Sequence, residues 1–152
     1  MKKISLLFLG IFCLVLTGCG SEVKEVKSLN DFEVAANNNG YTVSDNSDEY
    51  ADISYITGSR KAVIDDLELE MVEYDTAVNA KKTQSKHIEA FKNMKSSGAT
   101  GESKRGKNFY RFSLISNGFY MVSTRIDNTL IFTKTAVENK DKVITLLDSL
   151  NY

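Results

Sequence analysis

Apolar positions form one near-unbroken run at the start of the chain and a series of periodic segments after it. Residues 4–16 read ISLLFLGIFCLVL, thirteen positions without a charge. Periodicity begins at Leu29. Leu29, Phe32 and Ala36 share one helical face, Ser28 and Asp31 carry a capping signature, and Gly40 supplies a left-handed stop. This predicts a helix from Leu29 to about Asn38. A polar stretch, TVSDNSDEY, leads to a short strand at Ile53-Ser54-Tyr55-Ile56. From Leu67 to Tyr74, Leu67, Leu69 and Met71 alternate with Glu68, Glu70 and Val72, the period-2 pattern of a half-buried strand.

Asp75 or Thr76 can cap a longer helix to about Lys95, with Ala77, Ala80, Ile88, Phe91 and Met94 roughly in line and Gly98 beyond its end. The segment SSGATGESKRGK reads as a mobile loop. Between Phe109 and Thr133, the turn signals Asn117-Gly118 and Asp127-Asn128 divide the chain into three strands of an antiparallel meander. Two-residue turns set Leu114 opposite Met121, Ser116 opposite Phe119, Arg125 opposite Leu130 and Ser123 opposite Phe132. Tyr110, Phe112, Leu114, Phe119, Met121, Leu130 and Phe132 then share the face that helices should cover. Thr135-Ala136-Val137-Glu138 reads as a capping box that opens a last helix, with Val143, Leu146, Leu147 and Leu150 inward. The expected architecture is an α+β domain, an antiparallel sheet of about four or five strands with helices packed on one face.

The opening run changes the picture of where the protein works. Met1-Lys2-Lys3 and the apolar core after it are the n- and h-regions of an export signal. Thirteen apolar residues fall short of the roughly 20 that a spanning helix needs. Leu16-Thr17-Gly18-Cys19 resembles the lipobox of bacterial lipoproteins. That resemblance implies removal of residues 1–18, a diacylglyceryl group on the Cys19 thiol, and a mature chain that begins at Cys19. Two acyl chains hold where one binds only reversibly, so the implied location is the extracytoplasmic side of the cell membrane. Residues 19–28 are then the lipidated cysteine and a tether, and 29–152 a single extracytoplasmic domain. Cys13 leaves with the signal, and no intrachain disulfide can form. With Lys2 and Lys3 gone, the basic count falls from 19 to 17 against 20 acids, so the footprint of nucleic-acid binding is missing.

Chemistry is harder to find. The one histidine, His87, lies in the Lys-rich helical stretch KKTQSKH and reads as a solvated helix residue. No nucleophile elbow accompanies it. Asp45, Asp48, Glu49 and Asp52 lack the order of a calcium loop and read as turn chemistry. Glu68 and Glu70 stand side by side on one strand rather than flanking a bond. Gly98, Gly101 and Gly106 lack the spacing of a phosphate cradle. No cofactor or metal is expected. The basic run Lys104-Arg105-Gly106-Lys107 could touch anionic headgroups if it lies near a membrane.

What remains is the second face of the meander, with Arg111 and Tyr120 among Phe109, Ile115, Val122 and Ile126. Such an aromatic, Arg-bearing surface suits an interface, unless another layer or the 40–66 segment covers it. Arg111, Tyr120, Phe109 and Val122 are the candidate binding residues. The expected function is non-enzymatic binding of an envelope protein or peptide. The chain resembles small lipoproteins of Gram-positive bacteria, some of which confer immunity by intercepting antimicrobial peptides. An envelope hydrolase is the alternative from another class, and it needs an Asp or Glu in a cleft beside another titratable group.

Overall fold

A computed structural model describes residues 22–152. The signal segment 1–18, Cys13 and Cys19 lie outside the described residues. Among those described, three helices and seven strands follow in the order α1 (Leu29–Asn38), β1 (Thr42–Asp45), β2 (Ile56–Ile64), β3 (Leu67–Tyr74), α2 (Ala77–Asn93), β4 (Thr100–Arg105), β5 (Phe109–Ser116), β6 (Phe119–Ile126), β7 (Thr129–Ala136) and α3 (Lys140–Ser149). The strands form one sheet in the order β1-β2-β3-β7-β6-β5-β4. Every neighbouring pair is antiparallel.

Local signals act as expected at several places. Ser28 and Asp31 close a reciprocal capping box on α1, the backbone N–H of each donating to the side chain of the other. Asn117 and Gly118 have φ of 52° and 78°, the left-handed pair that a tight hairpin turn demands. Leu114 faces Met121, and Ser123 faces Phe132.

The strand expected at Ile53–Ile56 begins only at Ile56 and runs to Ile64, since residues 53–55 form a turn that Ile56 N closes on Ile53 O. Three further expectations need correction. The sheet has seven strands rather than four or five, because Thr42–Asp45 and the supposed loop at Thr100–Arg105 are its two edges. An edge strand of polar residues has no apolar alternation to betray it. The capping box at Thr135–Glu138 does not form: Thr135 stays in β7 opposite Tyr120, and its Oγ1 accepts from Asn139 Nδ2 at 3.1 Å. A short 3-10 turn, Val137–Asn139, then precedes α3.

The third correction concerns layers: helices cover both faces. Phe32 and Ala36 of α1 and Val143, Leu146 and Leu147 of α3 pack with Leu67, Leu69 and Met71 of β3, Ile131 of β7, and Tyr120, Val122 and Ile126 of β6. On the other face α2 sets Ala80 with Val72 and Leu130, and Phe91 with Leu114 and Met121. β6 is buried on both sides, as a strand between two covering layers must be. Val122 at 0 %, Tyr120 at 2 % and Phe109 at 3 % exposure are therefore core residues.

Truncation of Tyr120 to alanine should cost about 3–5 kcal/mol, the range for buried aromatics. Urea denaturation of Tyr120→Ala measures it; a loss under 1 kcal/mol would mean that this residue is not in the core.

Candidate functional site

The helix layer of α1 and α3 does not reach the β4 edge. Every residue of β4 is exposed, and β5 is its neighbour in the sheet. Alternation points Thr100, Glu102 and Lys104 to the α3 side, opposite Ile115, Ser113 and Arg111 of β5. These rows face Lys140 and Ile144 across a hollow of about 170 Å³ whose floor includes Tyr120. A second hollow of about 310 Å³ adjoins it at Lys104 and Arg111, and extends to Phe109, Asp148 and Tyr152. Together they make a groove between α3 and the sheet edge.

Three of the four candidate residues meet in this groove: Arg111, Tyr120 and Phe109. Val122 does not; it lies beneath, in the core. Tyr120 and Phe109 supply a buried floor, so Arg111 carries the accessible chemistry. Its side chain is 21 % exposed, and Nη1 stands 3.8 Å from an Asp148 oxygen. The same nitrogen donates to the Tyr152 main-chain oxygen at 3.4 Å. Lys140 lies 5.9 Å over the Tyr120 ring, and Lys24 lies 4.8 Å over Phe109. Burial, and then the charge of Lys104, holds the Lys24 ammonium below its ordinary value. Neither Lys140 nor Asp148 carried any signal in the sequence, since α3 brings both to the groove from far along the chain.

The part of the tether that is described is not free. Lys24 N donates to Asn108 Oδ1 at 2.9 Å, and Asn108 Nδ2 returns a bond to Lys24 O at 2.8 Å. Lys107 N donates to Glu22 O at 2.9 Å. The chain close-packs there: a Cβ on Gly106 would come within 2.5 Å of Glu22 O. Residues 22–24 thus form one wall of the second hollow.

A separate cleft of about 310 Å³ lies under α2, lined by Lys61, Glu70, His87, Phe91, Phe132 and Lys134 among others. His87 was expected in solvent, and the structure turns it inward. Its ring centroid is 4.4 Å from that of Phe132, and its Nδ1 is buried without a partner among the described residues. Burial pulls the imidazole below its ordinary value, and the Glu70 charge offsets part of that. Glu70 accepts from Ser59 Oγ at 2.6 Å and from Asn46 Nδ2 at 2.7 Å, so one of its oxygens is well occupied. A carboxylate and a histidine lining one cleft are nonetheless residue types that an acid–base site uses.

Among the described residues no cluster of three or more His, Cys, Asp or Glu could hold a metal ion. None of their helices is long and apolar enough to cross a membrane. No family model matches the chain, and no curated protein does. Among solved structures it is similar to a GTP binding regulator from Thermotoga maritima, at 17 % identity and TM-score 0.49, over 85 % of this chain and 91 % of that one.

The buried imidazole has a consequence for stability. The unfolded chain takes the proton first, near pH 6.5, so stability present above that pH is lost as pH falls toward the lower folded value. Denaturant titrations at pH 7.5 and 5.5 should show this loss in the wild type and a smaller one in His87→Gln. An equal loss in both proteins would assign the effect elsewhere.

Proposed function

We propose that this chain is a lipid-anchored, non-enzymatic binding domain on the extracytoplasmic face of the cell membrane. The groove between α3 and β4 receives an envelope protein or peptide there. One observation carries the choice of groove. Among the described residues Arg111 makes one hydrogen bond, at 3.4 Å, and one loose ion pair, at 3.8 Å. A guanidinium has five N–H donors, so most of its capacity is open to a carboxylate or other anionic group. Tyr120, Ile115 and Ile144 beside it offer apolar contact to the rest of the partner. The combination of an Arg and an aromatic floor suits the centre of an interface. The anchor rests on the lipobox resemblance at Cys19.

A hydrolase reading keeps one foothold, the Glu70–His87 cleft. Turnover of a wall or lipid substrate by the wild type and not by His87→Gln would establish it.

Arg111→Ala should lower crosslinked capture of the partner from native membranes about tenfold or more, the worth of a hydrogen bond to a charged group. Its thermal midpoint should stay near that of the wild type. Tyr120→Phe is the safe probe of the floor, since alanine there breaks the core. Capture by Arg111→Ala at the wild-type level would remove the groove from consideration. Cys19→Ser should abolish the lipid mass at the mature N-terminus; a variant that still fractionates with membrane at mature size would refute the anchor.

A further inference from the structure

The pinned segment limits how an anchored domain can lie. Cys19 is three residues from Glu22, and three residues span at most about 10 Å when fully extended. A free tether over 19–28 would reach roughly three times as far. A chain of this length folds to a radius of gyration of about 14 Å, so a 10 Å link cannot carry the anchor round to another side. The acyl chains must therefore enter the bilayer beside the point where Glu22 is held, at the β4–β5 turn.

The β4 corner of that end is basic, while the same end of the sheet carries acids farther along it, Glu73 at the end of β3 and Asp48 and Glu49 ahead of β2. Lys104, Arg105 and Lys107 are exposed within four residues of the turn. The acids beside that corner are Glu22, which pairs with Lys104 at 3.2 Å, Asp127, which accepts from Asn108 at 3.0 Å, Glu102 on β4, and Asp148 across the second hollow. Arg105 lies 4.8 Å over the Tyr110 ring, and Lys107 has no ion-pair partner among the described residues. The opposite end of the sheet carries the Asn117–Gly118 turn and the 3-10 turn with Glu138.

We propose that the β4–β5 turn is a membrane-facing surface. Lys104, Arg105 and Lys107 rest on anionic phospholipid headgroups, and the α3–β4 groove opens at headgroup level. This rests on the Cys19 anchor put forward above. It adds an orientation to that anchor, and it confines the groove to partners that lie at or in the membrane surface.

The test uses the full, processed protein reconstituted into phosphatidylcholine vesicles with and without phosphatidylglycerol. Lipid on Cys19 leaves an introduced cysteine as the one free thiol. Lys107→Cys and Glu138→Cys, each with an environment-sensitive fluorophore, are compared against a headgroup-borne quencher. The proposal expects strong quenching at position 107 and little at 138, with the contrast sharpened by phosphatidylglycerol. Neutralising Lys104 and Arg105 together should weaken that sharpening, at about fivefold in surface partition per residue. Asn108→Ala, which releases Lys24, should bring the two positions closer together; Lys24→Ala with Asn108 intact controls for misfolding, since it keeps both backbone bonds. Equal quenching at 107 and 138 in a protein whose mass includes the diacylglyceryl group would overturn the orientation alone. A mature protein without that mass would overturn the anchor, and the orientation with it.

Discussion

Four residue pairs join β3 to β7: Glu70 to Phe132, Met71 to Ile131, Val72 to Leu130 and Glu73 to Thr129. Each pair brings together residues some sixty positions apart, while every other ladder in the sheet is a hairpin between strands adjacent in sequence. Closing so long a loop costs entropy before any contact repays it. The ladder is what turns two separate meanders into one sheet. It also sends α2 across the second meander, from the end of β3 to the start of β4 at the far edge. Both faces of β7 and β6 are then sealed, and both β1 and β4 are left as edges.

The groove follows from the widths of these parts. Neighbouring strands are about 4.8 Å apart, so seven span roughly 29 Å between the outermost two. Two helices side by side cover about 20 Å, and α1 and α3 sit over the β2–β3 and β7–β6 region. The uncovered strip falls at β4 and β5. A half-buried Arg is tolerable at such a margin, where its stem packs on apolar surface and its head still meets solvent. Under α3 itself the same guanidinium would lose its water without a full set of partners.

How far this was readable before the structure depends on the range of the interaction. The Asn117–Gly118 turn sets the register of β5 and β6 through two backbone conformations, and the Ser28–Asp31 cap acts over three residues, so both were legible. β4 was not: TGESKR has neither alternation nor branched residues, and it is a strand because β5 offers it a free edge. The layers were misread for a related reason. The mixed face of Phe109, Tyr120, Val122, Ile126 and Ile131 looked like a candidate surface, yet a strand buried on both sides is what two covering layers require. Arg111 is the charged member of that row, and the structure leaves it at the groove margin while its neighbours are floor rather than surface. His87 defeated the pattern altogether, because α2 has a narrow apolar stripe and the inward face there is completed by Gln84, whose Nε2 donates to the Tyr110 and Ser123 carbonyls.

The segment 22–24 is held by local bonds whose worth is comparable to the entropy of ordering it. Ordering three residues costs about 3–6 kcal/mol of backbone entropy. Its three hydrogen bonds through the backbone return about 0.5–1.5 kcal/mol each, and the Lys24 ammonium over Phe109 adds about 0.5–1 kcal/mol along with the burial of its stem. The Lys104–Glu22 ion pair at 3.2 Å adds to these terms, so the segment stays docked, with a further contribution deepening the hold. Three basic residues near an anionic surface supply such a contribution. On the proposed orientation, docking of the turn on the membrane and docking of the segment on the turn would stabilise each other. Because Glu22 and Lys24 also wall the second hollow, the same hold sets the shape of the groove near Arg111. On the proposed orientation, ligand capture at Arg111 would respond to the surface charge of the bilayer through Asn108, which holds Lys24 at the turn.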